Sequence, residues 1–151
     1  DSTGSFDFWL VPSDGGGQRV VGIAWTPGLE CGEPKIDQQH LALFALANDL
    51  MEKITHRAPP EAVNAALRAL IREVQAHFKD EEELLYRRAP SQVEGHKQAH
   101  ARLLREARRL SEGLAHGTVS MRELAGFVVY DMVAEHLVQE DTAFFRSLRL
   151  K

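Results

Sequence analysis

The stretch Val74-Gln75-Ala76-His77-Phe78-Lys79-Asp80-Glu81 decides the architecture. Val74 and Phe78 continue an apolar series through Ala62, Ala66, Leu67, Leu70 and Ile71, whose three- and four-residue steps mark one buried helix face. His77 and Glu81 join that face. Residues four apart differ by ~40° around a helix axis and ~6 Å along it, so the imidazole and the carboxylate point together into the interior. Polar groups placed there need partners.

Working outward, three further helices carry the same kind of signal. Pro60 opens the helix just described, which runs to about Arg87. Upstream, Asp37 serves as an N-cap for a helix whose buried stripe is Ile36, His40, Leu43, Phe44, Ala47, Leu50, Met51 and Ile54, ending before Pro59. Downstream, Ser91-Gln92-Val93-Glu94 and Ser120-Met121-Arg122-Glu123 read as capping boxes for helices three and four, and Gly113 and Gly117 lie where helix three should stop. Helix three contains His96 and His100, four apart; helix four contains His136 and Asp141, five apart. Four helices with short connections predict an all-α, antiparallel up-down-up-down bundle.

Residues 1–24 read as an N-terminal extension or linker before a domain spanning 25–151. Residues 1 to 35 hold seven of the eleven glycines and three of the six prolines, and a hairpin fits between Phe6–Val11 and Val20–Trp25. At 151 residues the chain can bury ~68–70% of its unfolded surface around a single core. With 18 Lys and Arg against 22 Asp and Glu, it lacks the basic excess of a nucleic-acid binder. Absence of an ~18–20-residue apolar run argues against membrane contact by this fragment, and no leader-like segment opens it. The lone Cys31 fits a reducing, cytoplasmic compartment and a metal site without thiolate. Asp1 in place of Met implies a cut or processed beginning.

His40, His77, Glu81, His96, His100, His136 and Asp141 supply seven nitrogen and oxygen ligands, too many for one ion and suited to two. A single histidine on an apolar face is more often a satisfied core residue than a ligand. Here all four helices contribute, each from a face that must turn inward. In an ideal α-helix residues five apart differ by ~140°, so His136 and Asp141 must approach from different sides or the helix must widen. His56 and His116 sit near helix ends and receive no metal role. Asp80, Glu82 and Glu83 read as solvated, as do Arg102, Arg105, Arg108 and Arg109.

The chain resembles a hemerythrin, of the bacterial hemerythrin-like kind, from Trp25 to about Leu148. The resemblance rests on Trp25-Thr26-Pro27, Gly32, Ile36-Asp37-Gln38-Gln39-His40, His77-Phe78-Lys79-Asp80-Glu81-Glu82, His96-Lys97-Gln98-Ala99-His100 and His136-Leu137-Val138-Gln139-Glu140-Asp141. It implies two iron ions with an oxo or hydroxo bridge: His96, His100 and His136 on one, His40 and His77 on the other, Glu81 and Asp141 bridging. Dioxygen would bind reversibly at the open position of the second iron, and small anions such as azide or chloride would compete there. Leu43, Phe44, Phe78, Met132 and Val133 would wall the oxygen pocket. Many relatives carry Trp-Leu where this chain has Met132-Val133, which changes pocket volume and solvent access.

The ligand set favours reversible binding over substrate oxidation. Carboxylate-rich di-iron enzymes draw Glu-x-x-His from two helices, and no Glu-x-x-His occurs in this chain. The expectation is a non-enzymatic oxygen-binding domain, used either as an oxygen or redox sensor with an attached signalling domain or as an oxygen carrier. A weak resemblance of Phe6–Val11 and Gln18–Gly22 to the closing hairpin of a PAS-type sensory domain tilts towards sensing. A peroxidase or nitric-oxide-reacting di-iron enzyme is the alternative.

Overall fold

The computed structural model describes residues 10–12, 19–21, 30–141 and 144, with side chains over 30–137 and 144. Two short strands, β1 (Leu10–Pro12) and β2 (Arg19–Val21), pair antiparallel with Leu10 opposite Val21. The other residues of the expected hairpin lie outside the described ones. Everything from residue 34 to 141 is built on helices: α1 (Pro34–Thr55), α2 (Pro60–Arg88), α3 (Val93–His116) and α4 (Met121–Gly126), the last continuing without a break as a π-helix over Phe127–Asp141. Among the described residues, no helix is long and apolar enough to cross a membrane.

Helix α1 packs on α2, α2 on α3, and the π segment on both α1 and α3. Their shared interior holds Leu43, Leu50, Leu67, Leu70, Leu110 and Leu124, all essentially inaccessible to water. At ~1.5–3 kcal/mol for each fully buried side chain, this apolar face is what holds the helices together. One polar clasp crosses it. Buried Asn64 near the start of α2 donates from Nδ2 to the Ser111 carbonyl (3.2 Å) and accepts at Oδ1 from the Ser111 hydroxyl (2.6 Å) near the end of α3.

Three helix boundaries differ from the sequence reading. Helix α1 begins at Pro34, ahead of Asp37, because proline at a first position loses nothing by lacking an N–H. Asp37 lies inside the first turn and its carboxylate accepts from the backbone N–H groups of Cys31 (2.8 Å) and Gly32 (3.1 Å). That folds the preceding loop back over the helix, a turn that needs the positive φ of 94° at Gly32. Cys31 is thereby fully buried against Ile36, and burial pushes its thiol pKa up to about 12.

At α3 the expected capping box is not made. A 3₁₀ turn, Pro90–Gln92, leads directly into the helix, and Gln92 precedes it with no side-chain cap. At α4 half of the box forms: Ser120 Oγ accepts from Glu123 N (3.1 Å), while the Glu123 carboxylate turns instead to Arg109 (2.7 Å). The fourth helix departs most, being α-helical only through Gly126. Val128, Val129 and Val133 are β-branched and crowd the preceding turn of an α-helix, so widening the helix there relieves them.

Helix α3 ends as the glycines suggest. Gly117 adopts φ 72°, and the N–H groups of Gly117 and Thr118 donate back to the carbonyls of Leu114 (3.3 Å) and Gly113 (2.8 Å). Val119 then folds over Gly113, where an added Cβ would stand 2.1 Å from Val119 Cγ2 and 3.0 Å from its Cβ. Gly113→Ala is therefore expected to destabilise the fold by ~1–3 kcal/mol in chemical denaturation, outweighing alanine's helix propensity. In a Val119→Ala background the same change should cost little, and an equal loss in both backgrounds would place the cause elsewhere.

Candidate metal centre

Buried ligand atoms converge from all three complete α-helices and the π segment. Helix α1 contributes His40, α2 contributes His77 and Glu81, α3 contributes His100, and the π segment contributes His136; each is at most 2% exposed. They form two groups that share one carboxylate: His40, His77 and Glu81, and Glu81, His100 and His136, with the donor atoms of each group within 4.8 Å of one another. Glu81 Oε2 lies 3.1 Å from His77 Nε2, and its Oε1 lies 3.2 Å from His100 Nε2 and 3.7 Å from His96 Nδ1. His96 is less enclosed, its ring resting edge-on against Phe144.

The other nitrogens of two of these rings are already committed. His77 Nδ1 donates to Gln39 Oε1 (2.7 Å), Gln39 Nε2 donates to Asp80 Oδ2 (2.7 Å), and Lys35 pairs with Asp80 (3.4 Å). His100 Nδ1 donates to Glu82 Oε2 (2.6 Å). In a neutral imidazole one nitrogen carries the proton, so these bonds leave the lone pairs of His77 Nε2 and His100 Nε2 facing Glu81. His100 Nε2 is buried and makes no hydrogen bond, despite its 3.2 Å approach to the carboxylate.

Lone pairs and a carboxylate do not crowd together in a dry interior without a cation between them. Two ligand atoms ~2.1 Å from one ion, at right angles about it, stand ~3.0 Å apart, close to the separations on either side of Glu81. The residues present therefore fit a pair of metal ions joined by Glu81. Nitrogen and oxygen donors without sulfur suit a first-row transition metal.

The wall of the site is aromatic and aliphatic. Phe78 stacks on the His100 ring (centroids 3.7 Å, planes 4° apart) and meets His136 edge-on at 5.0 Å. Leu43, Phe44, Met132 and Val133 are buried in the same apolar cluster as Phe78. A cavity of about 300 Å³ opens between α3 and the π segment, lined by Leu103, Phe127, Asp131 and His136, with Arg102 and Glu135 also on it. It brings open space to one imidazole.

Against the sequence reading, Asp80 and Glu82 are corrected: both are part-buried, Glu82 accepting from His100 and Asp80 from the Gln39 that holds His77, and of the three acids only Glu83 is exposed. Sequence reasoning missed these roles and that of Gln39. A usable signal was position, since an acid directly after Glu81 projects ~100° round the helix, towards α3. Arg102, Arg105, Arg108 and Arg109 are exposed as expected; Arg102 also lines the cavity, and Arg109 pairs with Glu106 and Glu123 at the surface. The chain follows the widened-helix route at His136. Hydrogen bonding from i to i+5 stacks residues five apart, and the π segment reaches Asp141. The Asp141 side chain lies outside the described residues. His56 follows the end of α1, and exposed His116 donates to the Glu112 carbonyl (2.8 Å).

The model of the hemerythrin HHE cation binding domain matches residues 32–148. The chain belongs to the hemerythrin family. The match spans every helix of the hemerythrin chain from α1 through the π segment. No curated protein and no solved structure matches the sequence.

Two measurements probe the supporting bonds. Gln39→Ala and Glu82→Ala should each weaken metal affinity ~10–100-fold in a chelator competition, because each frees an imbalanced imidazole to rotate or change tautomer. Glu83→Ala is the matched control and should leave affinity unchanged. Equal effects at all three positions would mean that general charge, and not the hydrogen bonds, sets affinity.

Proposed function

We propose that this hemerythrin binds dioxygen reversibly at a carboxylate-bridged pair of irons. The observation that carries the reading is the buried carboxylate of Glu81, shared by two groups of imidazoles. In this reading the four helices form the antiparallel up-down-up-down bundle, His40 and His77 hold one iron, and His96, His100 and His136 hold the other. Asp141 would be a second bridge. Two irons bound there would supply the electrons and the open coordination position that dioxygen needs.

The chain's own residues do the rest. Gln39 and Glu82 fix two imidazoles in the ligating tautomer and orientation. Phe78 braces His100 against rotation. Leu43, Phe44, Met132 and Val133 keep the pocket apolar, which favours a small neutral ligand and disfavours entry of water and anions such as azide or chloride. Five imidazoles with two carboxylates give the irons less negative charge than a carboxylate-rich set, which supports binding without turnover. The domain would serve as an oxygen or redox sensor joined to a signalling partner domain, or as a carrier, in the cytoplasm.

Purified protein is expected to carry two irons per chain, falling substantially in Glu81→Ala; an unchanged stoichiometry there would remove Glu81 from the bridge. Reduction followed by dioxygen should give a coloured oxygenated form that bleaches on deoxygenation. Sustained turnover of peroxide or nitric oxide with no oxygenated form would replace binding with catalysis.

The pocket wall gives a further expectation. Met132→Trp with Val133→Leu should narrow the pocket and slow both loss of the oxygenated form and azide binding, at a stability cost of ~1–3 kcal/mol. If neither rate moves in a folded variant with two irons, these side chains do not govern access.

A further inference from the structure

Arg68 and Arg72, one turn apart on α2, and Arg108 on α3 line one cavity of about 290 Å³ with Ile71, Ser111 and Glu112. None of its lining residues belongs to the metal centre. Like charges four apart on a helix repel, and a third guanidinium facing the same space adds to the repulsion. The contrast with Arg109 is direct: on the same helix as Arg108, it is held by Glu106 (2.6 Å) and Glu123 (2.7 Å). Arg68, Arg72 and Arg108 have no carboxylate within ion-pair distance among the described residues. Glu112 lines the cavity without pairing with any of them, so three cations face one anion there.

The floor is built and rigid. Ile71 is buried, and Ser111 is locked to buried Asn64 by the two hydrogen bonds that clasp α2 to α3 at this level. Guanidinium groups present planar forks that match the oxygens of phosphate or carboxylate groups. No aromatic ring lines the cavity, so a nucleobase would find nothing to stack on. Its volume lies at the small end of ligand sites.

We propose that this groove binds a small multivalent oxyanion, through Arg68, Arg72 and Arg108. Phosphate and carboxylate oxygens share the required chemistry, and the two are separated by titrating the metal-loaded protein with inorganic diphosphate in one arm and citrate in the other. Binding should be saturable with one site and should weaken as salt is raised. Arg68→Gln and Arg108→Gln should each weaken it about tenfold or more, whereas Arg105→Gln, outside the cavity, should leave it unchanged. Glu112→Gln should tighten it. Amide shifts should concentrate at residues 68–72 and 108–112, with the absorption of the metal centre unaltered. Absence of saturable binding of either anion at millimolar concentration would overturn the proposal. So would equal losses in Arg105→Gln and Arg68→Gln. Binding that perturbs the metal-centre spectrum and survives the arginine substitutions would place the anion on the metal and also overturn it, while leaving the oxygen-binding reading intact.

Discussion

One carboxylate in a dry interior sets the terms for the packing of all the helices. Glu81 is completely buried with imidazole nitrogens on both of its oxygens, and burying a charge so thoroughly costs several kcal/mol unless cations compensate it. The helices are arranged so that this cost can be met: α1, α2, α3 and the π segment each bring a histidine to within reach of the same centre. The apolar core supplies the energy that holds the helices together. The polar centre specifies which faces must meet.

The centre is tied to the surface by two short chains of hydrogen bonds. One runs from His77 through Gln39 to Asp80 and Lys35, crossing from α2 to α1 and back; the other links His100 on α3 to Glu82 on α2. Each therefore orients a ring and staples a pair of helices with the same atoms. A further crosslink at the outer end, Arg88 to Glu33, joins the last turn of α2 to the residue before α1. Orientation of the imidazoles and alignment of the helices are consequently one problem.

Much of this was legible because helix geometry converts spacing into direction. His77 and Glu81, or His96 and His100, could be placed on a common face from a separation of four, and the apolar stripes around them told which way that face points. The roles of Asp80 and Glu82 were not legible, since an acidic run next to a ligand looks like a solvated surface until the neighbouring helix is in place. The missing cap at α3 has the same origin: Pro90 starts a 3₁₀ turn, and that local geometry takes Ser91 away from the cap position. At His136 and Asp141 the spacing left two routes open, and the backbone takes the wider helix. A run of valines, unfavourable in a tight α-turn, stands where the wider helix begins.

The buried cysteine before α1 has a chemical corollary. Thiols react with oxidants and electrophiles as thiolates, and Cys31 is both hidden and held protonated by its surroundings. The chain thus keeps its one thiol out of such reactions. The same silence is useful at the bench: a cysteine introduced on an exposed helix face would be the one group to accept a maleimide dye or spin label, with no need to remove the native thiol first.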